Sequence, residues 1–251
     1  MLTTVIKSVF LFIAGPVISV HASEVITYSG KAYSMDDSRT LLYCEEHQLK
    51  LLNDEPYKRQ VRYFDSNNNL IAEKENNYFS NPAAPEFSFH DKRHNYYEQA
   101  RYNDDGSLTL ILKEDNDSQS QKIPVKDLQN NLIIDAGFDE FVRRHWQSLL
   151  SGQTVSFSFA SVARLDLISF RLKKIADDDQ KLVLSMRLES RLLAWLLDPI
   201  ELTYDRNSRN LLRYRGLSNI MDTNGETYSA DIRYDYSSGC QSSPSSETGS
   251  S

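Results

Sequence analysis

Along most of this chain, apolar and polar residues alternate in short runs separated by clusters of Asn, Asp, Ser and Gly. A period of two puts successive side chains on opposite faces of a strand, so each run predicts a strand with one buried face. Residues 25–28, 40–52 and 57–65 fit this pattern. The Asx-rich turn from Asp65 to Asn69 then returns the chain along 70–78 as a hairpin. Residues 81–85 hold two prolines and predict a loop. The runs 95–102 and 107–113 flank Asn103-Asp104-Asp105-Gly106, whose Asp-Gly is a strong hairpin signal. The polar stretch 114–121 predicts an exposed excursion. Val155, Phe157 and Phe159 then alternate with Ser and Thr, and the apolar parity of 165–175 flips between Leu167 and Ile168, which predicts a bulge or sharp bend. Leu182, Leu184, Met186 and Leu188 share one face. Runs 200–204 and 211–217 flank a polar turn, and Asn224-Gly225 leads to a final strand with Tyr228, Ala230, Ile232, Tyr234 and Tyr236 on one side.

Two stretches break this rhythm. Residues 138–150 place Phe138, Phe141, Val142, Trp146, Leu149 and Leu150 at helical spacing, with Glu140, Arg143, Arg144 and Gln147 opposite. Asp135 or Asp139 can cap the start of this helix, and Gly152 follows its end. The other stretch is Leu192-Leu193-Ala194-Trp195-Leu196-Leu197, bounded by Arg191 and Asp198-Pro199. Leaving five large apolar groups in water would cost on the order of 10 kcal/mol, so something must cover them. The protein's own core is one cover. The other is a ligand, with Leu192, Leu193, Trp195, Leu196 and Leu197 lining a hydrophobic cavity together with Phe138, Phe141 and Trp146. The fold class expected is mainly β: a strongly curved antiparallel sheet or incomplete barrel of about 10–12 strands, with the amphipathic helix on its concave side.

Composition and charge narrow the setting. With 251 residues, 40% hydrophobic and 25% charged, the chain can build one sizeable core. Its net charge of −7 argues against nucleic acid as a partner, because phosphate binding needs concentrated Lys and Arg. The first 22 residues carry one early charge, Lys7, then an apolar run of about a dozen residues and Val20-His21-Ala22 before Ser23. That is the layout of a secretory signal peptide cut after Ala22. The run is short of the roughly 20 residues a membrane span needs. The expected layout is a leader at 1–22, one β-rich domain at 23–236 and a disordered Ser-rich tail at 237–251, in the periplasm, with no stable transmembrane segment. In an oxidising compartment Cys44 and Cys240 can pair, closing nearly the whole domain; the alternative is a small buried Cys44 and a dangling Cys240.

The closing segment, with its LLDPIELTYD and LLRYRGLSNIMDTNGE runs, resembles the C-terminal part of a group of exported bacterial proteins of unknown function. The overall layout resembles the half-barrel of the periplasmic lipoprotein localisation factors LolA and LolB. That second likeness is architectural and implies, by analogy, an acyl chain or lipid as partner.

Catalytic chemistry is hard to find. No Gly-x-Ser-x-Gly elbow and no Gly-rich phosphate loop occurs. His90 and His94 have a spacing that pairs imidazoles on a helix, but they follow a Pro-rich loop and a strand-like run, so exposed loop histidines are expected. Glu45-Glu46, Asp177 to Asp179, Asp198 and Glu201 are carboxylates of the kind usually solvated. The expectation is therefore no catalytic residue, no metal and no cofactor. A non-enzymatic binder of a hydrophobic ligand is the first reading, ahead of an envelope interaction protein acting through sheet edges and of an exported hydrolase using His90, His94, Glu201 or Asp205.

Overall fold

The structure, a computed structural model, describes residues 23–79, 81–128, 130–190 and 198–240. Among the described residues it is one sheet of fifteen strands, antiparallel except for a single parallel pair at one edge, and more than the 10–12 expected. In chain order these are β1 (Ser23–Ser34), β2 (Leu41–Leu52), β3 (Glu55–Asp65), β4 (Leu70–Asn77), β5 (Glu86–Asp91), β6 (Tyr96–Tyr102), β7 (Leu108–Glu114) and β8 (Asp117–Ile123). The second half holds β9 (Leu132–Ile133), β10 (Val155–Ser161), β11 (Asp166–Asp177), β12 (Lys181–Leu188), β13 (Ile200–Asp205), β14 (Leu211–Met221) and β15 (Thr227–Asp235). Spatial order runs from β8 back to β1, across to β15, and back again to β9, so first and last strands pair in the middle and β8 and β9 are the edges.

The expected hairpins form where turn chemistry is local. Asp65 accepts from the Asn67 and Asn69 backbone N–H groups, and Asp105 does the same for Ser107. Strand β8 occupies the stretch read as an excursion: all but Ile123 of its residues are polar and exposed, so the ladder to β7 and the packing of Ile123 on the core hold them. The bulge expected at Leu167 and Ile168 is absent, because those residues keep register with Ala160 and Phe159; the shift falls instead between Lys174 and Ala176. The chain turns just before β11, where Leu165 takes a left-handed conformation.

The helix is two pieces, α1 (Phe138–Arg144) and α2 (Trp146–Leu150), interrupted at His145, whose Nδ1 lies 3.0 Å from the Phe141 carbonyl oxygen. Neither Asp135 nor Asp139 caps it; both carboxylates serve ion pairs inside the sheet. Gly152 ends it as expected, at φ +84, donating to the Leu149 carbonyl.

Two cores hold the sheet curled. In one, Tyr43, Val61, Tyr63, Phe89 and Leu110 from β2 to β7 pack with Leu132, Ile134, Ala160 and Val162 from the far end of the chain. The turn at 162–164 touches β6 and β7, so the two ends of the meander approach each other without joining. In the other, Phe141, Val142, Trp146 and Leu149 of the helices pack on Leu172, Leu182, Leu184 and Leu202 of β11 to β13. The turn leading into the helices lies so close to the loop at Ala83 that a Cβ on Gly137 would fall 2.1 Å from the Ala83 carbonyl oxygen. Among the described residues no helix is long and apolar enough to cross a membrane.

Cys44 and Cys240 are joined, with Cα atoms 5.9 Å apart. Cys44 points from the outer face of β2, and the bond draws the segment after β15 across that face. The leader (1–22) and the tail from 241 lie outside the described residues.

Candidate functional site

Residues in phase with the buried stripe of a strand point inward, and on β2 to β6 several of these are charged. On β2 the inward series is Tyr43, Glu45, His47 and Leu49; on β3 it is Arg59, Val61 and Tyr63; on β4 it is Ala72, Lys74 and Asn76. The interior of the curved sheet is therefore a lining of ion pairs and phenols between two apolar cores.

At its centre, Glu45 Oε2 lies 2.8 Å from His47 Nε2 and accepts from the Tyr234 hydroxyl at 3.3 Å. The His47 ring stacks on Tyr28 at 4.3 Å, and Tyr28 stacks in turn on Tyr236 at 4.7 Å. Burial depresses the His47 pKa, against the pull of Glu45, so the ring is neutral; it donates from Nε2 and leaves Nδ1 without a partner. Burial raises the Tyr28 phenol to about 12. Gly30 makes room here, since a Cβ on it would come within 2.7 Å of the Tyr234 ring and 3.1 Å of Glu45 Oε2.

Next to this, Lys74 Nζ donates to Asp135 Oδ1 at 3.0 Å and the Asn76 amide donates to Asp135 Oδ2 at 2.9 Å. Burial opposes both charges, yet each raises the other's tendency to ionise: Lys74 is held above and Asp135 below its ordinary value. Beyond Phe89, burial lifts the Glu98 carboxyl to about 7, where the Tyr96 hydroxyl donates to it.

Toward the helical end, Arg59 donates to Asp139 at 3.3 Å and the Tyr204 hydroxyl donates to the other Asp139 oxygen at 3.0 Å. Arg143 pairs with Glu140 one turn along. Arg59 and its neighbours Ile26, Leu49, Leu51 and Pro56 on β1 to β3 form one wall of a cleft of about 200 Å³ that opens to solvent; Asp139, Glu140 and Arg143 of α1 form the other. Arg59 is almost wholly buried, and its Nε has no hydrogen-bond partner. A larger groove, about 820 Å³, crosses the outer face of β2 to β5 beneath residues 236–239. Its charges are mutually satisfied, Arg62 on Glu46 at 2.7 Å and Lys58 on Glu75 at 2.8 Å, so it reads as a solvated face and the smaller cleft holds the unfulfilled chemistry.

The residues expected to bind a ligand are placed differently. Phe141 and Trp146 are buried in the core between helix and sheet, and Phe138 packs on Phe157 at 5.7 Å. Leu192, Leu193, Trp195, Leu196 and Leu197 lie outside the described residues, between β12 and β13. His94 meets the Asp222 carbonyl oxygen at 2.8 Å and His90 is exposed on β5, so the two do not converge. Among the described residues no group of His, Cys, Asp and Glu could hold a metal ion. Asp205 is engaged in its own turn, accepting from Asn207 and Ser208, and Glu201 faces Arg215 across the ladder. Glu45, expected among the solvated carboxylates, is instead buried against His47 and Tyr234, and sequence reasoning did not single out His47, Arg59 or Lys74 as site residues. The available signal was polar residues in phase with a buried stripe.

No protein-family model matches the chain, and no curated protein matches it. Among solved structures, a beta-barrel-like protein of the domain of unknown function DUF1849 from Brucella abortus is similar in outline, with TM-score 0.41 and 8% identity over 84% of this chain and 94% of that one. A likeness that faint carries no functional inference. This chain's own residues establish an open, curved antiparallel sheet around a charged and aromatic interior.

Proposed function

We propose that this is an exported, non-enzymatic envelope protein that binds a small amphipathic ligand in the cleft between β1 to β3 and α1. The observation that carries this is the Arg59 Nε donor, buried in the cleft wall without an acceptor. Such a group costs roughly 1–3 kcal/mol when left unmade, and a carboxylate or phosphate oxygen that reaches it by a small shift of the Arg59 side chain would recover that cost. Beside it on the same wall, Ile26, Leu49 and Leu51 suit a short apolar segment of the same molecule. The half-barrel likeness to LolA and LolB points to a lipid-derived ligand. A cleft of this size accepts a single short chain or a head group, well below the usual range of ligand pockets. Export is supported by the leader-like first 22 residues and by the Cys44–Cys240 bond, which persists in oxidising compartments.

Native mass spectrometry of the chain released from the envelope tests this. The reading expects a small-molecule adduct that is lost in Leu51→Asp, which puts a charge on the apolar wall. A chain that carries no adduct, and takes up no fluorescent fatty-acid probe, would end the proposal.

A second reading, an interaction protein acting through its sheet edge, is supported by β8, whose outer side has no strand beside it among the described residues. A partner strand could extend the sheet there. Crosslinking in intact cells from Ser118 or Ser120 would trap that partner; recovery of the monomer alone would count against it.

A further inference from the structure

The chain is acidic overall, yet one face of the sheet concentrates cations. On β14, β15 and β1, Tyr214, Ile232 and Ala32 point into the core, so their neighbours point outward. The register then places Arg213 directly opposite Arg233, and Arg233 directly opposite Lys31. Like charges side by side on adjacent strands are unfavourable, and a fold with no use for them would not collect them. Asp231 partly relieves the row: Arg213 grips it at 2.6 and 2.7 Å and Arg233 reaches it at 2.9 Å, while Arg233 also covers the Tyr33 ring at 4.7 Å. One carboxylate thus serves two guanidinium groups, and an excess of positive charge is left over.

The same face continues onto β11 and β12, where Arg171 lies directly opposite Arg187. Neither has an ion pair among the described residues, nor do Lys31 and Arg215. Arg215 lies between Asp231 and Glu201 in register, and its Nε has no hydrogen-bond partner. Leu217, two residues on along the same side of β14, is 49% exposed. Within this area the carboxylates are Asp231, Glu201 and Glu189, which accepts from Ser156 beside Arg171; Asp235 lies at the end of β15 and is taken up by Ser237 and Ser238.

We propose that the outer face of β11 to β15 and β1 docks the protein on an anionic phospholipid surface. Six strands at about 4.8 Å spacing spread these cations over roughly 24 Å, and neither of the two clefts described above lies among them. That matches a plane of phosphates better than a single anionic ligand. Arginine dominates the set, and its planar fork binds phosphate oxygens in pairs. An exposed leucine within a basic field suits the boundary between head groups and acyl chains. The acidic remainder of the molecule would orient the docked protein, with this face toward the membrane.

The test uses the full disulfide-bonded chain, sedimented with vesicles of phosphatidylcholine alone or of phosphatidylcholine with phosphatidylglycerol. Binding to the anionic vesicles is expected to be at least about tenfold stronger, and to fall steeply between low and physiological salt. The triple variant Lys31→Gln, Arg171→Gln, Arg187→Gln removes cations that have no ion pair to lose, and is expected to reduce binding by about tenfold or more. A control removing equal charge elsewhere, Lys50→Gln, Arg101→Gln, Lys126→Gln, is expected to bind as the unmodified chain does. Equal binding to neutral vesicles, salt-insensitive binding, or equal losses in the two triple variants would overturn the proposal. So would capture of an acidic protein by this face in a chain with no affinity for the vesicles.

Discussion

Lys74 on β4 and Asp135, just ahead of α1, meet at 3.0 Å across the interior of the curved sheet, with side chains only 11% and 16% exposed. The pair ties the first hairpins to the second half of the chain, and Asn76 holds the remaining carboxylate oxygen. Removing one partner leaves a buried charge without compensation. Lys74→Met is therefore expected to cost about 3–5 kcal/mol, and the double variant Lys74→Met, Asp135→Asn to recover much of it. Urea unfolding measures both. A Lys74→Met loss below about 1 kcal/mol would mean that the pair does not form.

The Cys44–Cys240 bond spans 196 residues and clasps the end of the chain to β2. Closing so long a loop removes much of the unfolded chain's freedom, worth up to ~5 kcal/mol in the chain-entropy view. Cys44→Ser with Cys240→Ser is expected to lower the melting temperature, and reductant to lower that of the unmodified chain alike. Identical melts with and without reductant would show that the clasp contributes nothing.

Glu98 provides a pH signature. Burial raises its carboxyl from 4.5 to about 7, so the folded state holds this proton more tightly than the unfolded state does. Its contribution is full below about 4.5, declines as pH rises, and is gone above about 7; the span is at most about 3 kcal/mol. Stability followed by chemical unfolding across that window should fall with pH, and Glu98→Gln should flatten the slope. A slope unchanged in Glu98→Gln would assign it to other groups.

Gly30 is inward on β1, between Glu45 and Tyr234. A methyl group there must displace the Tyr234 ring or the Glu45 carboxylate. Gly30→Ala is expected to destabilise by about 1–3 kcal/mol and to change the tyrosine fluorescence of the folded protein. A variant as stable as its parent, with unchanged fluorescence, would show the interior to be looser than this geometry requires.

The hairpins were legible because their causes are local. Asp65 and Asp105 make the hydrogen bonds of their own turns, and the alternation at Leu182, Leu184 and Met186 follows the pleat. Strand β8 was illegible because an edge strand exposed on both faces carries no apolar periodicity, and β9 because two residues cannot show a period. Phe141 and Trp146 were recognisable as one helical face. Whether that face met a ligand or the protein depended on Leu172, Leu184 and Leu202, which are contributed by strands later in the chain.

The sequence by itself determined the fold class, the hairpin order, the helical stretch and the pair of cysteines able to bond, since each follows from near-neighbour stereochemistry or from counting. Only the tertiary structure decided that Glu45, His47, Arg59 and Lys74 face one another inside, that Asp135 and Asp139 pair with cations instead of capping a helix, and that Lys31, Arg233 and Arg213 stand in one row. These depend on how far a twisted sheet curls and on the register between β1 and β15, strands some two hundred residues apart. Local periodicity carries no record of either quantity.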